Sequence, residues 1–308
     1  MQVITVKDIE KKFMVSVKNP NISGDYLTKI GIKNTENPES KKGITFAENK
    51  PYLQKALDDE TISIIITSIG TYLSIKNIDS YNKGFVFYEL PKMFFYTLNN
   101  YFYCTYIKKD FDTHCGENVF IEPTAFISDK NVTIGNNCYI GNNVVILENA
   151  TIGDNVVILA GAVIGEEGFE IFNDRDDLVR IKHCGGVIIE DNVEIQSLCH
   201  VPKSLLPAHP TKIGKGTKLD SGVHFQHGTQ CGKNCKIASC AMIAGNVIIG
   251  DNVWIAPQTA ISNNIKIGNN SKVLIGSVVT KDVPEGETIS GNFAINHDKH
   301  IEFIKTIR

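Results

Sequence analysis

Every sixth residue from Ile213 onward is apolar: Ile213, Leu219, Phe225, Cys231, Ile237, Ile243, Ile249, Ile255, Ile261, Ile267, Val273 and Val279. An upstream run keeps the same step through Ile134, Ile140, Ile146, Ile152, Ile158 and Ile164. A helix repeats its apolar face near 3.6 residues and a strand near 2, so a step of six fits neither as a continuous element. It predicts a parallel β-helix in which each hexad is one short strand plus a corner. A second period lies inside the first. Gly214, Gly232, Gly250 and Gly268 are spaced by eighteen, as are Asn234, Asn252 and Asn270. Eighteen residues make one triangular coil. Gly and Asn at a recurring corner are expected to supply the positive φ of a tight turn. The β-branched Ile fills the interior while the backbone pairs with the coils above and below.

The places where the period fails divide the chain. Residues 1–105 lack it and alternate strand-like and helix-like stretches, which predicts a small α/β domain. ITVKDIEKKFM reads as a strand edge entering a helix near Asp8, KGITFAEN as a strand, and KPYLQKALDDE as a helix with Pro51 early. TISIIITS is a buried strand, GFVFYEL another, and Pro91 opens the aromatic helix PKMFFYTLNNYFY. Residues 106–120 read as a linker into a β-helix domain at 106–294. The repeat begins at Ile121 and Ile127, slips by one residue, and locks at Ile134. Two excursions interrupt it. The first, at 165–187, is GEEGFEIFNDRDDLVRIKHCGG. The second, PKSLLPAHPTK at 202–212, follows a resumption at Ile189, Ile195 and Val201. Long loops on a repeat scaffold carry function. Beyond Val279 the chain is rich in turn residues and ends in a short tail, 295–308.

Composition narrows the classes. A net charge of −3 over 308 residues gives no general attraction for nucleic acid or an anionic membrane. The absence of an eighteen-residue apolar run or of a signal-like N-terminus predicts a cytoplasmic protein without a membrane span. Eight cysteines without a CxxC pair read as buried thiols in a reducing compartment. Cys231, Cys235 and Cys240 are poorly spaced for zinc, and no metal site is expected. The acidic set Asp174, Asp176 and Asp177 reads as a solvated loop.

Three segments resemble the UDP-3-O-acylglucosamine N-acyltransferases of the lipid A pathway. They are ITFAENKPYL, GEEGFEI and LDSGVHFQHG, the last with an Asp and a His seven residues apart. The resemblance implies left-handed winding and a homotrimer with active sites in clefts between adjacent β-helices. It implies His227 as general base, Asp220 as its orienting partner, and the Gly245 N–H as donor to an oxyanion. It also implies that Phe46 and Tyr52 sandwich a pyrimidine, with Asn49 on the sugar or phosphate. Without the resemblance, Asp220 reads equally as a corner cap, and Phe46 and Tyr52 as domain core. His224 is expected to face solvent or a neighbouring subunit. His200 and His209, at the second excursion, are candidates for lining the cleft.

The chemistry suits these residue types. N-acylation needs a neutral amine to attack a thioester, and an amine with a pKa of about 8 is partly protonated at neutral pH. Histidine titrates in the right range, and a carboxylate can hold its tautomer. The tetrahedral intermediate needs a fixed donor. Gly245 lies eighteen residues beyond His227, one coil, and adjacent strands are about 4.8 Å apart. The closing segment SVVTKDVPEGETISGNFA resembles the end of coenzyme A-dependent sugar acetyltransferases, and the lipid A enzymes' C-terminal helical extension is missing. The expectation is therefore transfer of a short acyl group from coenzyme A to a nucleotide-linked amino sugar, for surface polysaccharide synthesis. The alternatives are a lipid A-type enzyme using acyl carrier protein, and a zinc lyase of the γ-carbonic anhydrase type. The lyase needs three His, and His224 and His227 offer two.

Overall fold

The structure, a computed structural model, describes residues 3–29, 42–106, 110–174, 177–291 and 296–306, with the backbone alone at 102–106 and 174. The N-terminal domain is a five-stranded sheet. Its strands run in the order 16–18, 84–87, 62–67, 43–47 and 26–27, parallel except for the first. The central strand Ile62–Thr67 buries Ile64, Ile65 and Ile66 completely, which is why it reads as a continuous apolar run. Helix α1 (Val6–Phe13) starts at a capping box between Thr5 and Asp8. Helix α2 (Lys50–Asp58) starts at Asn49, whose side chain accepts from the Tyr52 N–H, with Pro51 in the first turn. Helix α3 (Ile69–Leu73) follows the central strand, and α4 (Pro91–Tyr106) covers the sheet with Phe94, Phe95, Tyr96 and Leu98 buried.

The remainder is a left-handed parallel β-helix with three faces, sheets of eight, eight and nine strands. The apolar positions stack one coil apart. Ile213 lies beside Cys231, then Ile249 and Ile267; Leu219 beside Ile237, Ile255 and Val273; Phe225 beside Ile243, Ile261 and Val279. None of these is more than 4% exposed. The helix starts earlier than the hexads show, at His114–Cys115, which pairs with Thr133–Ile134. It also runs past Val279. Val283 bridges to Ile267, and Thr288–Ile289 pairs with Lys272–Val273. The C-terminal tail carries a further helix, α5 (His297–Thr306), with no buried residue.

The recurring Gly and Asn work by different means. The corner asparagines do adopt positive φ, near 54–58° at Asn234, Asn252 and Asn270. The glycines at 214, 232, 250 and 268 are not in that region. They stack on one another instead. A Cβ on Gly214 would lie 2.3 Å from the Gly232 carbonyl oxygen, and one on Gly232 would lie 2.8 Å from backbone atoms of the next coil. Backbone cannot give way there as a side-chain tip can. Gly214→Ala is therefore expected to destabilise the protein by about 2–3 kcal/mol, read as a lower urea midpoint at unchanged slope.

The two excursions join the domains. The first forms an antiparallel hairpin, Ile171–Asp174 with Asp177–Arg180. Its Ile181 enters the same apolar cluster as Leu205 and Leu206 of the second excursion and Ile4, Leu27, Phe94 and Leu98 of the small domain. Cys184, in the first excursion, is disulfide-bonded, contrary to the reading of all cysteines as thiols. Cys115, Cys138, Cys199, Cys231, Cys235 and Cys240 are free. Cys231 and Cys235 are buried in the helix interior while Cys240 is exposed at a corner, so the three do not converge as ligands.

Candidate active site

His227 sits at the corner after the strand His224–Phe225, with 9% of its side chain exposed. Two glycines make its slot. A Cβ on Gly245 would lie 2.7 Å from the His227 Cε1 and 2.8 Å from its Nε2, and a Cβ on Gly168 would lie 2.8 Å from its Cδ2. Gly245 thus makes room for the imidazole itself, in addition to any passage for an acyl chain. Its N–H donates no hydrogen bond among the described residues, which leaves it available to an anion. The backbone on both sides of the histidine is held. The Asn246 N–H donates to the His227 carbonyl at 3.0 Å, and the Gly228 N–H donates to the Thr211 hydroxyl at 2.9 Å.

Asp220 does not orient His227 within the chain. Its carboxylate accepts from the Ser221 N–H at 2.7 Å, the Ser239 N–H at 3.1 Å and the Ser239 hydroxyl, and those bonds hold its pKa below the usual carboxylate range. Residues 220 and 227 follow consecutive strands and so occupy different corners of the triangle. The corner-cap alternative is what the fold realises.

The groups that do face His227 come from outside the repeat. Glu170 of the first excursion places Oε2 3.9 Å from Nε2. The His183 ring lies edge-on at 5.0 Å between centroids. Lys29, from the small domain, acts electrostatically on both His227 and Glu170. Tyr96 of α4 also lies beside Glu170. Burial pulls the His227 pKa below 6.5, with Glu170 opposing that shift and Lys29 adding to it. Burial, reinforced by His227, pulls His183 down to about 3. His209 is pulled down to about 4, chiefly by burial, and its Nε2 lies 2.7 Å from the Thr28 hydroxyl. The Nδ1 atoms of His227, His209 and His183 are buried without a partner, as is the His183 Nε2. His200 and His224 lie instead on an outer face, their rings 5.6 Å apart, with Glu166 3.3 Å from the His200 Nε2.

In the small domain the predicted nucleotide residues are separated by role. Phe46 is half-buried against Phe95 and Tyr96, with ring centroids at 5.1 and 6.4 Å. Tyr52 is 55% exposed at the start of α2, with the Lys55 ammonium 5.6 Å from its ring. Asn49 spends its side-chain oxygen on the helix cap and keeps its amide donors. No ring contact joins Phe46 and Tyr52 among the described residues. A separate cleft of about 790 Å³, lined by Met14, Ile69, Tyr88, Leu90, Met93 and Asp177 among others, shares no residue with the histidine site. Asp177 is exposed there, whereas Asp176 and the Asp174 side chain lie outside the described residues.

Residues 131–166 and 210–245 match the bacterial transferase hexapeptide (six repeats) family. These two segments carry the hexapeptide repeat. The second matched segment holds Asp220, His227 and Gly245. Among solved structures, the UDP-N-acetylglucosamine acyltransferase from Campylobacter jejuni is 23% identical, over 63% of this chain and 79% of that one, with a TM-score of 0.51. The Arabidopsis UDP-N-acetylglucosamine acyltransferase is 24% identical, over 58% and 68%, at 0.45. The UDP-N-acetylglucosamine O-acyltransferase from Moraxella catarrhalis is 24% identical, over 63% and 81%, at 0.40. At 23% identity the likeness to the Campylobacter jejuni structure speaks to the fold. No helix among the described residues is long and apolar enough to cross a membrane.

Proposed function

We propose that the protein is an acyltransferase that moves an acyl group from a thioester to the amine of a nucleotide-linked amino sugar, with His227 as general base. The hexapeptide transferase match and a repeat fold like that of sugar acyltransferases support acyl transfer. The observation that carries the site is the fit of the His227 ring against Gly245, one coil away, with the Gly245 N–H undonated. A neutral imidazole takes a proton from the attacking nitrogen, and the N–H receives the charge that develops on the thioester oxygen. Burial keeps His227 neutral at pH 7, the state a base requires.

The donor is read as a short acyl-coenzyme A, the nucleotide as bound at Asn49, Tyr52 and the exposed side of Phe46, and the assembly as a homotrimer. One outer face of the β-helix supports self-association. Val145, Val163, His200, His224, Met242 and Val278 stack along it, with charge among its strand residues confined to Glu166 beside His200 and the Glu167–Lys203 pair. The neighbouring face carries Glu194, Lys218, Lys236 and Lys272. Sparsely charged, partly apolar surface of this kind marks contact with another chain. The test is to incubate the protein with UDP- and dTDP-linked amino sugars and either acetyl-coenzyme A or acyl carrier protein thioesters, and to follow product mass. An amide-linked acyl sugar nucleotide is expected with acetyl-coenzyme A. No acylated sugar with any donor would overturn the proposal.

A further inference from the structure

We propose that Glu170 and His227 together grip the acceptor's nitrogen, and that Glu170 selects an amine over a hydroxyl. This deepens the proposed function and rests on its placement of the acceptor at His227. The gap between the Glu170 Oε2 and the His227 Nε2 is 3.9 Å. That is too wide for a direct hydrogen bond, but one nitrogen about 2.9 Å from each atom spans it. The alternative arrangement, with Glu170 orienting the ring and Nδ1 acting as base, is closed off because Nδ1 is buried. Nε2 is therefore the working atom, and Glu170 stands beside it on the side the substrate must use. The Glu170 side chain is 25% exposed, so it can meet a ligand.

The charge pattern points the same way. Lys29, Tyr96 and His183 surround the pair, yet no lysine or arginine of the described residues lies within ion-pair distance of Glu170. A carboxylate that Lys29 influences only from beyond ion-pair distance, next to a histidine held neutral, suits an incoming ammonium. A hydroxyl acceptor carries no charge to meet it. In the reaction the ammonium first releases one proton to solvent. The neutral nitrogen then attacks the thioester carbon while an N–H donates to the Glu170 carboxylate. His227 takes the second proton from that nitrogen. As the C–S bond breaks, it passes the proton to the leaving thiolate. The products are an amide and a thiol, with one proton released overall.

Calorimetric titration without any acyl donor tests this, using wild type and Glu170→Gln. The probes are UDP- and dTDP-linked 2-, 3- and 4-amino sugars, each matched with its hydroxy counterpart. Wild type is expected to bind one amino sugar at least about tenfold more tightly than its hydroxy partner. Glu170→Gln should reduce that ratio to near one while leaving the hydroxy sugar's affinity and the melting temperature in place. Equal binding of both sugars by wild type, or an unchanged ratio in the variant, overturns the proposal. If no nucleotide sugar binds, both this proposal and the proposed function fail. If the amine preference is present and erased by Glu170→Gln but no donor acylates it, the Glu170 assignment stands and the transfer reaction falls.

Discussion

His227→Ala is expected to lower kcat by about 10²–10⁴ with the fold retained. The magnitude is that of losing a positioned general base, and the ring is the candidate base that packs on Gly245. Folding should survive because the ring's Nδ1 has no partner to lose and the ring packs against Gly245, Gly168, Glu170 and His183 at a corner rather than in the helix interior. Gly245→Ala approaches the same loss by another route. The added methyl would sit 2.7–3.1 Å from three ring atoms, so the imidazole must leave its slot. The two variants combined should then cost little more than either alone, since both remove one function. Single-turnover rates at saturating acceptor, beside thermal melts, decide the matter. Near-wild-type turnover in His227→Ala would sink the assignment of the base.

Between pH 7 and pH 5 the protein should lose about 4 kcal/mol of stability through His183 and His209 alone. Their folded-state pKa values are pulled to about 3 and about 4 from an ordinary value of 6.5. Below 6.5 the unfolded chain takes up protons that the native state refuses, so stability falls as pH falls. The loss runs at about 1.4 kcal/mol per unit and per histidine until the folded pKa is reached. Both side chains are nearly sealed, 2% and 6% exposed, so solvent does not soften the penalty. The double variant His183→Gln with His209→Gln should flatten this dependence, since a glutamine amide does not titrate and at position 209 can still reach the Thr28 hydroxyl. Urea midpoints at pH 7 and pH 5 for both proteins provide the test, and an equal decrement in the two would refute it. Because His183 touches His227 and both excursions clamp the domains, acid should also open the candidate site before it unfolds the β-helix.

Much of this protein is legible in one dimension. The step of six from Ile213 to Val279 fixes the coils, their register and the burial of each inward residue, because a side chain's inside or outside place in a β-helix depends only on its position in the hexad. The pairing of His227 with Gly245 followed from the same count. Residues before the repeat lack that step and form the small α/β region. The count could also mislead by omission. It started the helix at Ile121, while His114–Cys115 already pairs, because a two-residue strand carries too little pattern to read. It assigned the stacked glycines to turn geometry, when their use is to let backbone meet backbone at Gly214 and Gly232.

Tertiary structure alone decided what surrounds the histidine. Asp220 is seven residues from His227 in sequence, yet the corner between them turns its carboxylate to Ser239. Glu170 is 57 positions away, yet its carboxylate stands 3.9 Å from the ring, and Lys29, almost two hundred away, acts on it electrostatically. They arrive on segments that have no period: a hairpin excursion and the end of a short strand in another domain. Their positions are set by burial of Ile181, Leu205 and Leu206 in the small domain's core, a contact between three distant stretches that no local spacing encodes. A repeat specifies its own geometry residue by residue, because each coil's neighbours are fixed at eighteen. The loops that leave it are placed only by what they meet, and here that decides which carboxylate lies beside His227.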